Sequence, residues 1–165
     1  MSNNPTLWET VSDPIYCLSL GFGSGLVKIA PGTCGSLLAL LLYLPLSLLP
    51  LWMYITNLVV AFILGIYVCG ETAKRLMIKD PSSIVWDEFV GLWIALLFTP
   101  TKWYFIVLTF LIFRLFDIFK PWPISLLDRE LTGGVGIMLD DAAAGLLTLF
   151  VVQLLASDLI NFVPK

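Results

Sequence analysis

Carboxylate side chains at the ends of long apolar segments are the residues of this sequence best placed to do chemistry. Five of the twelve acidic residues lie at such ends, namely Asp87, Glu88, Asp117, Asp140 and Asp141. The sequence has no histidine, so zinc sites built on imidazole and histidine bases or nucleophiles are excluded. Carboxylate oxygens are the ligands that Mg²⁺ prefers in proteins. We therefore expect these five residues to form a Mg²⁺ site at a membrane surface.

Asp117 lies in the segment 113–120, where all its neighbours apart from Arg114 and Lys120 are large and apolar. On a helix these three charged residues are spaced three apart and share one face. They could form an internal ion pair that neutralises snorkelling side chains. We favour a second interpretation, in which Asp117 is a catalytic metal ligand and the two cations bind a phosphate group.

Asp87 and Glu88 are adjacent carboxylates at the start of an apolar segment. Both could simply stabilise the positive end of a helix dipole. Two neighbouring carboxylates in a stretch with few other charges repel each other, however, unless a cation lies beside them. We therefore interpret both residues as metal ligands that also take part in catalysis.

Asp140 and Asp141 form a second adjacent pair, followed by an alanine-rich segment. One of them could cap the N-terminus of a helix. A cap requires only one carboxylate, so the other would remain close to the membrane without a partner. We predict that both are Mg²⁺ ligands and that Asp141 is also catalytic.

Two clusters of glycine and hydroxyl residues, 21–25 and 31–36, precede the first predicted helix. Exposed main-chain amides at a helix N-terminus can bind a phosphate oxygen. Small residues also allow close packing of membrane helices, which is the alternative. Lys28 lies between the clusters, and we predict that Lys28, Thr33 and Ser36 bind substrate together with Arg114 and Lys120.

The three cysteines have no spacing typical of metal ligands or of a disulfide framework. Cys69 and Arg75 do have the cysteine, five residues, arginine spacing of thiol-dependent phosphatases. In those enzymes the intervening residues form an amide cradle around the phosphate, whereas here they include Glu71 and have the character of a charged helix end. We therefore expect buried, unreactive thiols and no thiolate mechanism.

The composition is that of an integral membrane protein, with 59% hydrophobic and 13% charged residues and a mean hydropathy of +0.95. No charged residue lies between Lys28 and Glu71, a stretch about twice the ~20 residues that cross a bilayer once. We predict an all-α membrane helical bundle of about five transmembrane helices, over residues 34–49, 51–69, 84–98, 103–119 and 137–155.

The distribution of cations predicts the topology, because lysine and arginine near short loops remain in the cytoplasm. Seven cations fall on one side of the predicted spans, namely Lys28, Lys74, Arg75, Lys79, Arg114, Lys120 and Arg129. The five acidic residues fall on the same side. We predict a cytoplasmic N-terminus and active-site loops that face the cytoplasm. The net charge of −3 without a basic run argues against a nucleic-acid partner.

We predict one membrane-embedded domain over residues 1–165, whose mature chain begins at Met1 without a removable targeting peptide. Residues 1–20 are expected to form a short amphipathic segment in the membrane interface, without chemistry of its own. Small residues within the spans, such as Ala61 and Gly65, permit either association between chains or internal packing.

Five sequence blocks in this order closely resemble the phosphatidylglycerophosphatase A family of bacterial membrane phosphatases. The blocks are Gly21-Phe22-Gly23-Ser24-Gly25-Leu26, Pro31-Gly32-Thr33-Cys34-Gly35-Ser36, Ile84-Val85-Trp86-Asp87-Glu88-Phe89-Val90-Gly91, Phe113-Arg114-Leu115-Phe116-Asp117-Ile118-Phe119-Lys120-Pro121-Trp122-Pro123-Ile124 and Gly133-Gly134-Val135-Gly136-Ile137-Met138-Leu139-Asp140-Asp141. The resemblance implies a Mg²⁺-dependent hydrolase of the bacterial inner membrane that converts phosphatidylglycerophosphate to phosphatidylglycerol and inorganic phosphate.

By this resemblance the five acidic residues are the family's acidic positions, and Arg114 and Lys120 its cationic ones. Lys28 lies in a variable segment, so its role depends on the physical argument alone. Two mechanisms stay open, namely attack by water and an aspartyl-phosphate intermediate on Asp117 or Asp141. The alternative functions are a small cation-coupled membrane transporter, which predicts charges near the bilayer midplane, and a phosphatase for another lipid phosphomonoester.

Overall fold

A computed structural model describes residues 5–122 and 124–162, and all regular secondary structure in this part of the chain is helical. The all-α prediction is therefore confirmed. The elements in chain order are α1 Leu7–Ser12, α2 Pro14–Ser19, a 3₁₀ segment Gly21–Leu26, α3 Pro31–Leu46, α4 Leu51–Leu76, α5 Trp86–Leu96, α6 Trp103–Phe119, α7 Ile124–Glu130 and α8 Gly133–Phe162.

Each of the five apolar segments predicted to cross the membrane corresponds to a helix, α3, α4, α5, α6 or α8. Two stretches are long and apolar enough to span a bilayer by length and composition, Leu51–Leu76 in α4 and Gly133–Ser157 in α8. Helix α5 has only 11 residues, fewer than the ~20 that a perpendicular crossing requires. The count of five spans therefore stays a prediction.

Helix α4 exposes a broad apolar surface, which includes Val59, Val60, Ile63 and Tyr67. A contiguous exposed apolar surface of this kind is typical of a protein that contacts lipid or another apolar partner. Together with the two long apolar helices, this surface indicates a membrane-associated protein.

Helix α5 forms the centre of the core. Phe89 and Leu92 are completely buried, and both indole groups of the helix donate hydrogen bonds to main-chain oxygens of neighbouring helices. The Trp86 Nε1–H bonds the Ala61 oxygen of α4 at 3.0 Å, and the Trp93 Nε1–H bonds the Ala39 oxygen of α3 at 2.9 Å. Buried indole groups need such partners, so these bonds fix the orientation of α5 between α3 and α4.

Helices α5 and α8 approach so closely that their backbones touch. A Cβ atom at Gly145 would overlap the Gly91 carbonyl oxygen, and one at Gly91 would lie 2.7 Å from the Asp141 carbonyl oxygen. Gly91 follows Asp87 by four residues and therefore shares its helix face. The close approach of these glycines thus brings the carboxylate pair of α5 beside that of α8.

The start of α8 differs from the prediction. The fifth span was predicted to begin at residue 137, but α8 already begins at Gly133. Gly134 packs so tightly on α4 that a Cβ atom there would overlap the Ile66 carbonyl oxygen. This packing outweighs the low helix propensity of glycine. Asp140 and Asp141 therefore lie within the helix, and the idea that one of them is an N-cap is wrong.

Small residues in α4 serve internal packing. A Cβ atom at Gly65 would lie 2.5 Å from Met138 Sδ of α8 and 2.8 Å from Trp86 Cδ1 of α5. Ala61 is buried next to the same indole, which bonds its oxygen. Of the two interpretations of these residues, the structure therefore supports packing within one chain.

Candidate active site

One cavity of about 400 Å³ contains all five acidic residues that the sequence singled out. Its walls come from the start of α3, the loop before α5, the start of α5, the end of α6 and the second turn of α8. The charged lining residues are Asp80, Asp87, Glu88, Asp117, Asp140 and Asp141 with Arg114 and Lys120. We refer to this space as the acidic cavity. Segments far apart in sequence thus converge at one end of the helical bundle.

Arg114 is the centre of a buried charge network. Its Nη1 donates to Asp117 Oδ2 at 2.5 Å, to Glu88 Oε1 at 3.1 Å and to Ser36 Oγ at 3.1 Å. The side chains of Arg114, Glu88 and Asp117 are only 12–13% exposed, so water screens these ion pairs weakly. The guanidinium therefore joins α3, α5 and α6.

Gly32 makes this network possible. A Cβ atom at position 32 would overlap Glu88 Oε1 and would lie 3.0 Å from Arg114 Nη2. Only glycine allows the carboxylate and the guanidinium to approach the first turn of α3 this closely. The sequence analysis interpreted the cluster 31–36 as a possible main-chain amide site for phosphate. The structure adds a steric reason for glycine at position 32.

Lys120 leaves the helix face on which it was predicted. Helix α6 ends at Phe119, and Lys120 has a left-handed backbone with φ of +41°. Its Nζ lies 2.5 Å from Asp140 Oδ2 on α8. The predicted shared face thus holds for Arg114 and Asp117, whereas Lys120 turns toward another helix because the α6 helix has already ended.

Three buried carboxylate oxygens in the acidic cavity have no hydrogen-bond partner among the described residues. They are Asp87 Oδ1, Glu88 Oε2 and Asp141 Oδ2. A buried ionised oxygen without a partner is costly, and a hard cation removes that cost because it prefers oxygen ligands. The donor set therefore fits Mg²⁺.

The ligand set is not complete in the protein alone. Within residues 5–122 and 124–162, no group of three or more acidic or cysteine side chains is already arranged to hold a metal ion. Mg²⁺ commonly binds through one or two carboxylates, with water and substrate phosphate as its other ligands. An incomplete protein set beside a cavity of this size agrees with that mode of binding.

The N-terminus of α3 also lines the acidic cavity, through Ala30, Pro31, Gly32 and Thr33. No side chain in the described part of the chain caps this helix, and Pro31 occupies its first turn. The first amides of a helix have no partner within the helix and carry a partial positive charge. The Gly32 and Thr33 amides are therefore available to an anion in the cavity.

The N-terminal segment braces the loop that leads into α5. Ser19 Oγ and Thr72 Oγ1 form a buried hydrogen bond of 2.7 Å, and the Ser19 carbonyl oxygen accepts the Val85 N–H at 3.0 Å. A Cβ atom at Gly25 would overlap the Ser83 carbonyl oxygen. The sequence assigned residues 1–20 only an interfacial role, but Ser19 contacts the segment that positions Asp87 and Glu88.

An ion pair holds α2 against the end of α4, since Arg75 Nη1 lies 2.6 Å from Asp13 Oδ2. Burial alone would raise the pKa of Asp13. The hydrogen bond from the Ile15 N–H and the Arg75 guanidinium outweigh burial and lower this pKa below its ordinary value. Asp13 is therefore ionised at neutral pH and anchors the N-terminal segment.

Comparison with known proteins assigns the chain to a family. Residues 17–156 match the family described as Phosphatidylglycerophosphatase A. The chain belongs to the phosphatidylglycerophosphatase A family. It is 45% identical to Phosphatidylglycerophosphatase A of Escherichia coli (strain K12) over 139 residues, which cover 84% of this chain and 81% of that protein.

Two further relatives differ in the lipid that their names specify. The Haemophilus influenzae relative, also named Phosphatidylglycerophosphatase A, is 43% identical over 152 residues, covering 91% of this chain and 93% of that protein. A Bacteroides thetaiotaomicron relative named "Putative phosphatidylinositol-3-phosphatase" is 40% identical over 136 residues, covering 78% of this chain and 84% of that protein. No solved structure matches the chain. The family match and the names of the relatives identify this phosphatidylglycerophosphatase A family member as a phosphatase.

The predicted substrate-binding residues of this family member fall into three groups. Thr33, Arg114 and Lys120 line the acidic cavity. Ser36 does not line it, but its Oγ accepts from Arg114 and donates to the Gly32 oxygen. Lys28 lines a neighbouring cavity instead. The binding roles of all five residues stay predictions.

Asp80 is an acidic residue of the cavity that the sequence argument missed. It precedes Pro81 in the loop between α4 and α5 and lines the acidic cavity beside Asp140. Its position near Ser82-Ser83 and the predicted ligand pair at 87–88 was the only signal in the sequence, because a single acid in a polar loop is usually solvated. Asp80 becomes part of the acidic cavity because this loop folds against α8.

The structure contradicts the thiol-dependent mechanism that the spacing of Cys69 and Arg75 could indicate for this phosphatidylglycerophosphatase A family member. Cys69 is completely buried within α4, and its Sγ contacts Met138 Sδ at 3.9 Å. Arg75 lies in the same helix and pairs with Asp13 and Glu71. Because residues 69–75 are helical, they cannot form an amide cradle around a phosphate.

Proposed function

We propose that this chain is a Mg²⁺-dependent phosphatase that hydrolyses phosphatidylglycerophosphate to phosphatidylglycerol and inorganic phosphate. Family membership and the names of the Escherichia coli and Haemophilus influenzae relatives support this substrate. The observation that carries the chemistry is the set of unpartnered carboxylate oxygens beside Arg114 in one cavity.

Asp87, Glu88 and Asp141 are the proposed principal Mg²⁺ ligands, because each has a buried oxygen without a partner. Asp117 and Asp140 are the remaining proposed ligands, and they also hold Arg114 and Lys120 in place. When bound, Mg²⁺ would neutralise phosphate oxygens and make water a stronger nucleophile at neutral pH.

The cationic residues of the cavity are proposed to bind and orient the terminal phosphate. Arg114 Nε is buried and has no hydrogen-bond partner among the described residues, so it can donate to a phosphate oxygen. Lys120 and the first amides of α3, at Gly32 and Thr33, lie around the same space. These donors would stabilise charge on the phosphoryl oxygens as the transition state forms.

The reaction is proposed to proceed by in-line attack of water on phosphorus. A carboxylate oxygen of Asp87 or Asp141 that does not bind Mg²⁺ would accept the proton of the attacking water. The bond between phosphorus and the glycerol oxygen then breaks, and that oxygen takes up a proton to give the hydroxyl of phosphatidylglycerol. Attack by an aspartate oxygen is the competing path, and it requires a phosphoenzyme.

The enzyme is proposed to lie in the bacterial inner membrane as a multi-pass protein with its cavity at the cytoplasmic face. The residues of the acidic cavity come from the start of α3, the start of α5, the end of α6 and the first part of α8. They therefore lie at one end of the bundle, where Lys28, Lys79, Arg114 and Lys120 also occur. Because lysine and arginine near short loops are retained in the cytoplasm, we assign this end to the cytoplasmic face. A lipid headgroup at that membrane surface could reach them without crossing the bilayer.

The test is release of phosphate from phosphatidylglycerophosphate in detergent micelles, with Mg²⁺ or with excess chelator. We expect Mg²⁺-dependent release by the wild type and its loss in Asp141→Asn and Asp117→Asn. The matched control is Glu9→Gln, because Glu9 is an exposed acid on α1 outside the cavity. Absence of release under any metal would contradict the proposed substrate and favour another lipid phosphomonoester, or else the cation-coupled transporter.

The same assay separates the two mechanisms. Labelled substrate that leaves ³²P on the protein after denaturation would contradict attack by water and support an aspartyl phosphate. Mapping the labelled peptide to Asp117 or Asp141 then identifies the nucleophile, because either Asn variant also lacks a proposed Mg²⁺ ligand and would lose the label for that reason alone.

A second candidate is a phosphatase for another lipid phosphomonoester. The Bacteroides thetaiotaomicron relative, named for a phosphatidylinositol-3-phosphatase activity, favours this candidate. Phosphatidylinositol 3-phosphate should be assayed beside phosphatidylglycerophosphate under the same conditions. A higher kcat/KM for the inositol lipid would replace the proposed substrate while retaining the proposed chemistry.

A further inference from the structure

A second cavity of about 670 Å³ adjoins the acidic cavity. Pro31 and Ser82 line both spaces, so these two residues form the border between them. The second cavity lies between the N-terminal segment and the stretch before α3. Its lining residues are Pro5, Thr6, Leu7, Gly25, Leu26, Val27, Lys28, Pro31 and Ser82. We refer to it as the Lys28 cavity.

The lining of the Lys28 cavity combines one positive charge with apolar surface. Lys28 is the charged residue among the described residues that line it, and most of the others, including Leu7, Leu26 and Val27, are apolar. Lys28 forms no ion pair with any residue in the described part of the chain. Such a surface suits an anionic group attached to a hydrocarbon chain.

The acidic cavity cannot readily hold a second anion. Its lining among the described residues includes six carboxylates, at positions 80, 87, 88, 117, 140 and 141, and two cationic side chains. Arg114 and Lys120 already pair with carboxylates there. Because the carboxylates outnumber the cationic side chains, even one phosphate requires Mg²⁺ to enter this space, and a further negative group would meet net repulsion.

The proposed substrate has two phosphates, a terminal monoester that is cleaved and a diester that joins the glycerol to the lipid. We infer that the Lys28 cavity binds the phosphodiester while the terminal phosphate occupies the acidic cavity. The glycerol then crosses the border at Pro31 and Ser82. Lys28 is thus a specificity residue for lipids that have a phosphodiester next to the scissile phosphomonoester. This inference rests on the proposed function.

The test compares two lipids in micelles of an uncharged detergent. Phosphatidylglycerophosphate has both phosphates, whereas phosphatidic acid has only the phosphomonoester. For Lys28→Ala we expect kcat/KM on phosphatidylglycerophosphate to fall roughly tenfold, mainly through KM, as for the loss of one charge-assisted contact. The kcat/KM on phosphatidic acid should not change, and Lys28→Arg should retain most of the activity on both lipids.

Lys102→Ala is the matched control, because this exposed lysine lies at the turn between α5 and α6, outside both cavities. It should leave both lipids unaffected. Equal losses on the two lipids in Lys28→Ala would overturn the inference and indicate general attraction to anionic micelles. Unchanged kinetics on phosphatidylglycerophosphate would overturn it as well. Failure of the wild type to hydrolyse phosphatidylglycerophosphate would instead overturn the proposed function, and this inference with it.

Discussion

The hydroxyl oxygens of Ser19 and Thr72 lie 2.7 Å apart, in a hydrogen bond that is completely buried between α2 and α4. The main-chain oxygen of Ser19 accepts the Val85 N–H at 3.0 Å. Val85 immediately precedes α5, whose first turn contains Asp87 and Glu88. The buried hydroxyl pair therefore holds Ser19 in place. Through Ser19, the N-terminal segment positions the start of α5 and its two proposed metal ligands.

Replacement of Thr72 by valine keeps the side-chain shape and removes one hydroxyl of this pair. Ser19 Oγ is then buried without its partner, at a cost of roughly 1–3 kcal/mol. We expect a lower kcat and a higher Mg²⁺ concentration for half-maximal activity, with little change in KM for the lipid. The measurement is a Mg²⁺ titration of phosphate release in micelles.

Thr72→Ser should restore the Mg²⁺ requirement, because it returns the hydroxyl. The matched control is Thr148→Val, since Thr148 is equally buried and its hydroxyl bonds the Ala144 oxygen within its own helix, α8. If both valine variants lower the thermal stability but neither changes the Mg²⁺ requirement, the pair has no positioning role.

Gly32→Ala should abolish most activity without unfolding the protein. The added methyl group would displace Glu88 and Arg114, and a displacement near 1 Å can reduce a rate about 100-fold. Alanine is the better helix former, so α3 itself should persist. We expect a fall of about this size in kcat, measured beside the melting temperature. Leu37→Ala, an exposed position on the same helix, should have full activity, and full activity in Gly32→Ala would contradict the steric argument.

Arg114→Lys should behave as a loss of function although the charge is retained. An ammonium group lacks the guanidinium plane, in which Nη1 contacts Glu88, Asp117 and Ser36 while Nε has no partner among the described residues and can donate to phosphate. We expect kcat/KM to fall by about 10²–10³, as for loss of one electrostatic donor in an active site. Arg129→Lys, in the exposed last turn of α7, serves as the control. Near wild-type kinetics in Arg114→Lys would show that only the charge matters.

Asp141→Asn should affect stability in opposite directions with and without Mg²⁺. The carboxylate oxygen of Asp141 is buried and unpartnered, so its neutralisation should raise the melting temperature in chelator. The wild type should gain stability as Mg²⁺ is added, and the variant should gain much less. Thermal unfolding in detergent over a Mg²⁺ series measures both effects. Glu130→Gln, outside the cavity, should respond to Mg²⁺ as the wild type does, and an unchanged Mg²⁺ response in Asp141→Asn would exclude Asp141 as a ligand.

Asp13→Asn should reduce stability only where Asp13 is ionised. Its pKa is lowered in the folded state, so its contribution is present above the unfolded pKa of about 3.9 and disappears as the pH falls through the folded pKa. Asparagine retains the N-cap of α2, which isolates the loss of charge. We expect a small decrease in melting temperature at pH 7 and a smaller one at pH 3. Arg75→Gln should show the same dependence, and an equal decrease at both pH values would exclude the ion pair as its cause.

Local patterns were sufficient to predict the five apolar helices and the five acidic residues that line the cavity. The bounds of α6 agree with the predicted span, because Pro100 and Pro121 break the apolar run on both sides. The five acidic residues were identified because they lie at the ends of apolar segments in a chain with only 13% charged residues. All five line one cavity.

The partners of those residues depend on the tertiary structure. Arg114 joins residues 36, 88 and 117, and Lys120 turns to Asp140 after α6 ends. The sequence alone could not distinguish paired carboxylates from unpartnered ones, since these pairs form between helices whose separation depends on their packing. The same reason explains why the roles of Asp80 and Ser19 were missed.

The sequence by itself therefore determined the fold class, the apolar segments and the acidic residues at their ends. These features follow from hydrophobicity and charge within single segments. Only the tertiary structure decided that α8 begins at Gly133, that Gly32 must be glycine and that Lys28 lines a separate cavity. Each of these facts is a contact between segments far apart in the chain, and contacts of that kind are determined by how closely the helices pack.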